Sequence, residues 1–218
     1  MSWMRGASWV DSFPVVSEPR TVSLPGCVRE AREAAFALVG ETAPHDGYTA
    51  THACAVARLA ESVGEAMGLA GGDLEALRLG ALLHDIGKVE VPEEVLGKPG
   101  RLTSEEYEMV KVHPEAGARM IEADERLSNL LAEATPVIRH HHERWDGAGY
   151  PDGLAGKEIP VSARIVAAAD AYDVMVVGRY YQPARSREEA IAELERTAGT
   201  QFEPETVSIL VSVLEGNA

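Results

Sequence analysis

The chain of 218 residues is 45% apolar and 25% charged, which suits one compact domain with a short extension and rules against wholesale disorder. Twenty Lys/Arg against thirty-five Asp/Glu leave a net charge of -15, which rules against a binder of nucleic-acid polymers and against docking on an anionic membrane. No apolar run reaches the ~18 residues of a membrane span. The opening MSWMRGASWVDSFPVV lacks the apolar core of a signal peptide, and two cysteines, Cys27 and Cys54, suit a reducing cytoplasm rather than a disulfide framework.

Residues 1–26 carry Pro14, Pro19 and Pro25 with Trp3 and Trp9 and no helical stripe, so they read as an irregular arm or linker. From residue 27 to 218 the pattern is helical. Val28 to Val39 is Ala-rich. Thr49 to Leu69 has apolar residues at Val56, Leu59, Val63 and Met67, at helical spacing. Gly71-Gly72 is a break, and Asp73 is expected to cap a helix running to about Asp85. Residues 89–103, with Pro92, Gly97, Pro99 and Gly100, read as a loop. Thr103 with Glu106 forms a capping box for the next helix. Helices are expected at about 114–123 and 125–142, then a Gly/Pro-rich loop over 143–160, then a helix to about Val177. Ser186 with Glu189 caps another, and Pro204 opens the last. No stretch alternates as a strand does, so the expected fold is all-α.

All seven histidines fall between residues 45 and 142. His45 sits in an apparent loop and reads as incidental. Successive helical residues are rotated by ~100°, so His140, His141 and His142 cannot all face one centre, and His140 reads as the one that points away. His52, His84, Asp85 and Asp170 lie in apolar helical context, where an ionisable group costs several kcal/mol unless it is paired or binds a metal. Two readings stand on residue types alone. These are unrelated buried histidines, or imidazoles and carboxylates converging on two metal ions, since seven such ligands exceed one tetrahedral site.

The phrases HDIGK (84–88), HP with Gly117 (113–117), HHERWDG (141–147), GYP (149–151), the downstream Asp170 and GTQFEP (199–204) resemble the HD-GYP family of HD-domain metal-dependent phosphohydrolases. The resemblance runs from about Asp46 to the C-terminus. It implies an HD-domain helical bundle with a metal centre in its core and a long GYP loop. It also implies an enzyme, a phosphodiesterase that opens the bacterial messenger cyclic di-GMP to pGpG and, in some members, onward to GMP. The family's metal ligands fall on His52, His84, Asp85, His113, His141, His142 and Asp170, with Asp85 as the bridging carboxylate. Asp85 and Lys88 are the implied catalytic pair. Lys88, Arg179 and the loop residues Gly149, Tyr150 and Pro151 are the implied substrate contacts. The implied cofactor is a pair of divalent ions, iron first, with manganese or zinc as alternatives that these ligand types serve equally. Such a pair lowers the pKa of a water enough to yield hydroxide for attack on phosphorus.

The sequence departs from the family at two places. Tyr48 stands where some members carry a third-metal Glu, four residues before His52, so two metals are expected. In DVMVVGRYYQPA, Gly178 precedes Arg179 and Gln182 takes a second basic position, so a charge-assisted contact to the substrate is lost. Two alternatives follow: a catalytically weak receptor for the nucleotide, or a phosphodiesterase for another cyclic dinucleotide. The GYP loop, with Trp145 and Tyr150, reads equally as a lid and as a docking surface for a signalling partner. The amphipathic helices make a homodimer an option. Asp173, three residues after Asp170, is expected to orient a ligand rather than to be one.

Overall fold

The computed structural model describes residues 26–42, 47–178 and 183–217. In chain order the helices are α1 (Gly26–Thr42), α2 (Gly47–Ala66), α3 (Gly71–Leu83), α4 (Glu93–Leu96), α5 (Ser104–Val110), α6 (His113–Ala123), α7 (Glu125–Leu131), α8 (Thr135–His140), α9 (Val161–Val177), α10 (Arg187–Thr197) and α11 (Pro204–Glu215). Short 3-10 turns cover Ile86–Glu90, Ala132–Ala134 and Gly156–Glu158. Among the described residues there is no named strand, and a lone bridge joins Ala198 to Phe202. The fold is all-α, as the hydrophobic spacing predicts.

Both capping boxes form. Thr103 accepts from the Glu106 amide while Glu106 accepts from the Thr103 amide, and Ser186 with Glu189 does the same. Three details differ from the sequence reading. The residue that caps α3 is Ala70, and Asp73 lies in the first turn, where its charge still favours the helix dipole. The expected loop 89–103 contains α4. The expected helix 125–142 is broken into α7, a 3-10 turn and α8. Pro136 has no amide to donate, so the α ladder lapses before it, and the Thr135 hydroxyl takes up the Leu131 carbonyl instead.

The core forms where α2, α3, α8 and α9 meet, with α11 against α2 and α9. Val56, Ala60 and Val63 of α2, Leu77 and Ala81 of α3, Ile138 of α8, Ile165, Ala168 and Ala169 of α9 and Leu210 of α11 are all buried. Apolar spacing of three and four along each helix turns one stripe inward, and burying those stripes drives the assembly. Arg32 of α1 grips both carboxylate oxygens of Glu75 at 2.6 Å, and Arg78 bridges Glu75 and Glu61, tying α1 and α2 to α3. The 3-10 turn after α3 lies directly on α6. A Cβ on Gly87 would collide with the His113 carbonyl and the Gly117 amide, so only glycine permits that approach.

Candidate metal centre

Five elements of the bundle each present one or two polar side chains to its interior. His52 comes from α2 and Asp170 from the middle of α9. His84 follows the last turn of α3, and Asp85 sits beside it with φ -97 and ψ 4, outside the helical region. That change of direction lets adjacent residues converge. α8 ends at His140; His141, its C-cap, keeps helical dihedrals (φ -67, ψ -11), and the rings of His141 and His142 have centroids 4.2 Å apart. His113 enters at the start of α6, fixed by the Gly87 contact.

The rings form a continuous row, His52, His84, His141 and then His113 and His142, with centroid separations from 4.2 to 5.4 Å. Two groups emerge whose ligand atoms lie within 4.8 Å of one another: His52 with His84 and Asp170, and His113 with His141 and His142. Asp85 stands between them. Its Oδ2 is 3.4 Å from His84 Nε2 of the first group, and its Oδ1 is 3.3 Å from His113 Nε2 of the second. Asp170 Oδ1 lies 3.1 Å from His52 Nε2 and 4.0 Å from His84 Nε2.

Four of the five rings are oriented from behind. Nδ1 of His84, His113 and His141 donates to the carbonyls of Ala81, Val110 and Ile138 at 2.7, 2.7 and 2.8 Å. His52 Nδ1 donates to Asp173 Oδ2 at 2.6 Å, the orienting role expected for Asp173. Carbonyl oxygens only accept, so in His84, His113 and His141 the Nδ1 proton is engaged and the neutral ring leaves its Nε2 lone pair for the centre. His140 points away, as the helical rotation predicts: its ring nitrogens meet the Pro136 carbonyl and Asp152, both at 2.9 Å.

Burial keeps the second group uncharged. It pushes His113 down to about 4 and His142 down to about 3, and holds His141 far below the usual imidazole range. At His52 burial also lowers the value, but Asp170 and Asp173 outweigh it and raise the ring to about 9. Burial would raise Asp85, yet Lys88 and the neighbouring imidazoles hold its carboxyl well below the usual range. Asp170 is held low too, by its bond to His52 against the effect of burial. Lys88 Nζ lies 2.5 Å from Asp85 Oδ2, because a 3-10 turn eclipses residues three apart.

The GYP loop is packed against this group. Tyr150 stacks on His142 with ring centroids 4.9 Å apart, and its amide donates to the His142 carbonyl at 3.3 Å. A Cβ on Gly149 would strike the backbone of Glu143 and Arg144. Glu143 is the residue that sequence reasoning missed. Its buried carboxylate accepts from the amides of Asp152, Gly153 and Leu154 at 2.7, 3.1 and 3.1 Å and holds the loop just past Pro151. Those donors lie nine to eleven residues downstream, a separation that helical periodicity does not reveal. Trp145 carries the Arg164 guanidinium over its ring at 5.8 Å, and its amide donates to the Gln201 carbonyl, so the GTQFEP phrase braces the loop. His45, Arg179, Gln182 and the Tyr48 side chain lie outside the described residues.

The donor set fits divalent cations. His84 Nε2 is buried and has no hydrogen-bond partner among the described residues. His113 Nε2 faces His141 Nε2 at 3.3 Å, and both are lone-pair acceptors because their Nδ1 protons are engaged. Two acceptors repel unless a cation lies between them. Imidazole with carboxylate and no thiolate suits iron, manganese or zinc.

Residues 35–206 match the family model described as HD domain. The chain belongs to the HD-domain family. Its phrases and relatives set it in the HD-GYP branch. A cyclic di-GMP phosphodiesterase of Vibrio cholerae is 43% identical over 145 residues, covering 65% of this chain and 30% of that protein. A 3'3'-cGAMP-specific phosphodiesterase 2 of the same species is 33% identical over 181 residues, covering 83% of this chain and 34% of that one. The chain thus spans about a third of the length of these two relatives. Among solved structures, Bd1817, an HDG"Y"P protein from Bdellovibrio bacteriovorus, aligns with a TM-score of 0.64 at 21% identity, over 87% of this chain and 65% of that one, a likeness of fold. No helix among the described residues is long and apolar enough to cross a membrane.

Proposed function

We propose that the chain is a metal-dependent phosphodiesterase that opens cyclic di-GMP to linear pGpG. The observation that carries this reading is Asp85, whose two carboxylate oxygens face the two ligand groups one each. In this reading His52, His84 and Asp170 would hold one divalent ion and His113, His141 and His142 another, with Asp85, whose oxygens face both groups, placed to contribute to either. When bound, the pair supplies Lewis-acid charge and acidifies a water that serves as the nucleophile.

The chain's own groups do the rest. The Nδ1 bonds keep His84, His113 and His141 in the ligating tautomer, and burial keeps His113, His141 and His142 neutral at physiological pH. Lys88, half-buried beside Asp85, can exchange that carboxylate for a phosphoryl oxygen and meet the charge that grows there. Tyr150 covers the second group, and burial raises its phenol, so it stays protonated and donates a hydrogen bond rather than carrying charge. Arg179, outside the described residues, is assigned to a substrate phosphate by resemblance. A cytoplasmic setting suits this substrate.

Cyclic di-GMP is preferred because a relative 43% identical is named for that activity, and the 33% identical relative makes cyclic GMP-AMP the second reading. Protein purified without air and loaded with iron or manganese is expected to hold two ions per chain by elemental analysis and to release pGpG by chromatography. Tight binding of cyclic di-GMP with no product would sink the enzyme reading in favour of a receptor. Preferential turnover of cyclic GMP-AMP would reassign the substrate.

A further inference from the structure

Beyond the three-histidine group, on the side closed by the GYP loop, lie two side chains that the metal centre does not use. Tyr107 belongs to α5 and Lys111 follows one turn later as its C-cap, so the two share a face. The Lys111 ammonium lies 5.5 Å from the Tyr150 ring centre and 5.9 Å from that of Tyr107. The Tyr150 ring rests on His142, with centroids 4.9 Å apart. A row therefore runs outward from the ligands through Tyr150 and Lys111 to Tyr107, which is 48% exposed. Lys111 also pairs with Glu108 at 3.0 Å, but Glu108 is 67% exposed, and such a surface pair is readily exchanged for another anion.

A cyclic dinucleotide carries two phosphates and two bases. While one phosphodiester is cut at the metals, the other half must find a cation and a flat apolar face within the same molecule's reach. The body as a whole, at -15, opposes that second anion. Lys111 supplies a cation beside the Tyr150 ring, which itself rests on His142, and the exposed Tyr107 ring supplies a π face that accepts any base. We infer that Lys111, with Tyr107 and Tyr150, forms an outer subsite for the half of the cyclic dinucleotide remote from the scissile bond: the ammonium takes its phosphate and the Tyr107 ring stacks on its base. This rests on the substrate class proposed above.

The test uses metal-loaded full chain, with steady-state kinetics on cyclic di-GMP and cyclic GMP-AMP and calorimetric binding of their phosphorothioate analogues. Lys111→Met keeps the aliphatic stem and removes the charge. It is expected to raise KM and the analogue Kd about tenfold, with kcat within about twofold, the loss of one charge-assisted contact. Lys111→Arg should restore both constants, and Tyr107→Leu should raise them about fivefold. A helix-capping role alone would lower the unfolding midpoint and leave KM and Kd unmoved, and that result overturns the subsite. No wild-type turnover, with analogue binding that still depends on Lys111, would sink the phosphodiesterase reading while supporting the subsite. A wild-type protein that binds neither analogue overturns both.

Discussion

Four histidines hand their Nδ1 proton to an oxygen of the protein, three to carbonyls three residues back and His52 to Asp173. That bond fixes the direction of each ring before any ion arrives, and in His84, His113 and His141 it fixes the tautomer as well. Asp173→Asn is therefore expected to weaken metal binding about 10–100-fold while leaving the fold intact, measured by competition with a chelator. Asp85→Ala removes the carboxylate that faces both groups and should abolish metal content and activity together. Full metal content by elemental analysis would refute its bridging role. Asp152 anchors the loop through Arg139, at 2.8 Å, and His140, and Arg139 first and His140 next depress its carboxyl to about 2. A depressed acid contributes stability above its unfolded pKa of ~3.9 and loses it as pH falls toward the folded value. Asp152→Asn should thus cost at most about 1 kcal/mol at pH 5–7, since the pair is solvent-screened. The difference from wild type should shrink as denaturant midpoints are taken from pH 4 downward.

Helix ends, rather than helix faces, carry most of the site. His84, Asp85, His113, His141 and His142 all sit where a helix starts or stops. A continuous helix rotates neighbours apart, so adjacent ligands such as His84-Asp85 and His141-His142 need the ladder to end between or beside them. The contact of the Ile86–Glu90 turn with α6 depends on Gly87 in the same way. Gly87→Ala must push α6 outward and carry His113 with it. It is expected to cost about 1–3 kcal/mol by chemical denaturation and to weaken metal binding in step. Capping boxes at Thr103 and Ser186 were legible in the sequence because both partners lie within four residues. The break in 125–142 was less so, since it depends on how Pro136 and Thr135 share the carbonyls of the preceding turn.

For the molecule as a whole, the charge of -15 takes on a local meaning. Asp85 and Asp170 are drawn into the interior with five imidazoles, and both are held ionised there. Two divalent ions would turn this pocket positive within an acidic body and tie α2, α3, α6, α8 and α9 together. Since an ion binds the folded chain, saturation near 100 times its dissociation constant stabilises by about 2.7 kcal/mol. For a domain of this size that is about 5–10 °C in the unfolding temperature. Chelation is expected to lower the calorimetric midpoint by that amount, and re-addition of manganese or iron to restore it.

The amino-acid sequence by itself determined the all-α class, most helix spans, and the phrases HDIGK, HHERWDG and GYP, because periodicity, caps and motifs act over a few residues. Tertiary structure alone decided that His52 and Asp170, 118 positions apart, meet at 3.1 Å, that Asp85 faces both groups, and that Glu143 gathers the loop amides. Those are contacts between distant segments, set by how five helices pack, and no local pattern encodes them. The same holds for Lys111: its spacing from Tyr107 is plain in the chain, but only packing brings it over the Tyr150 ring.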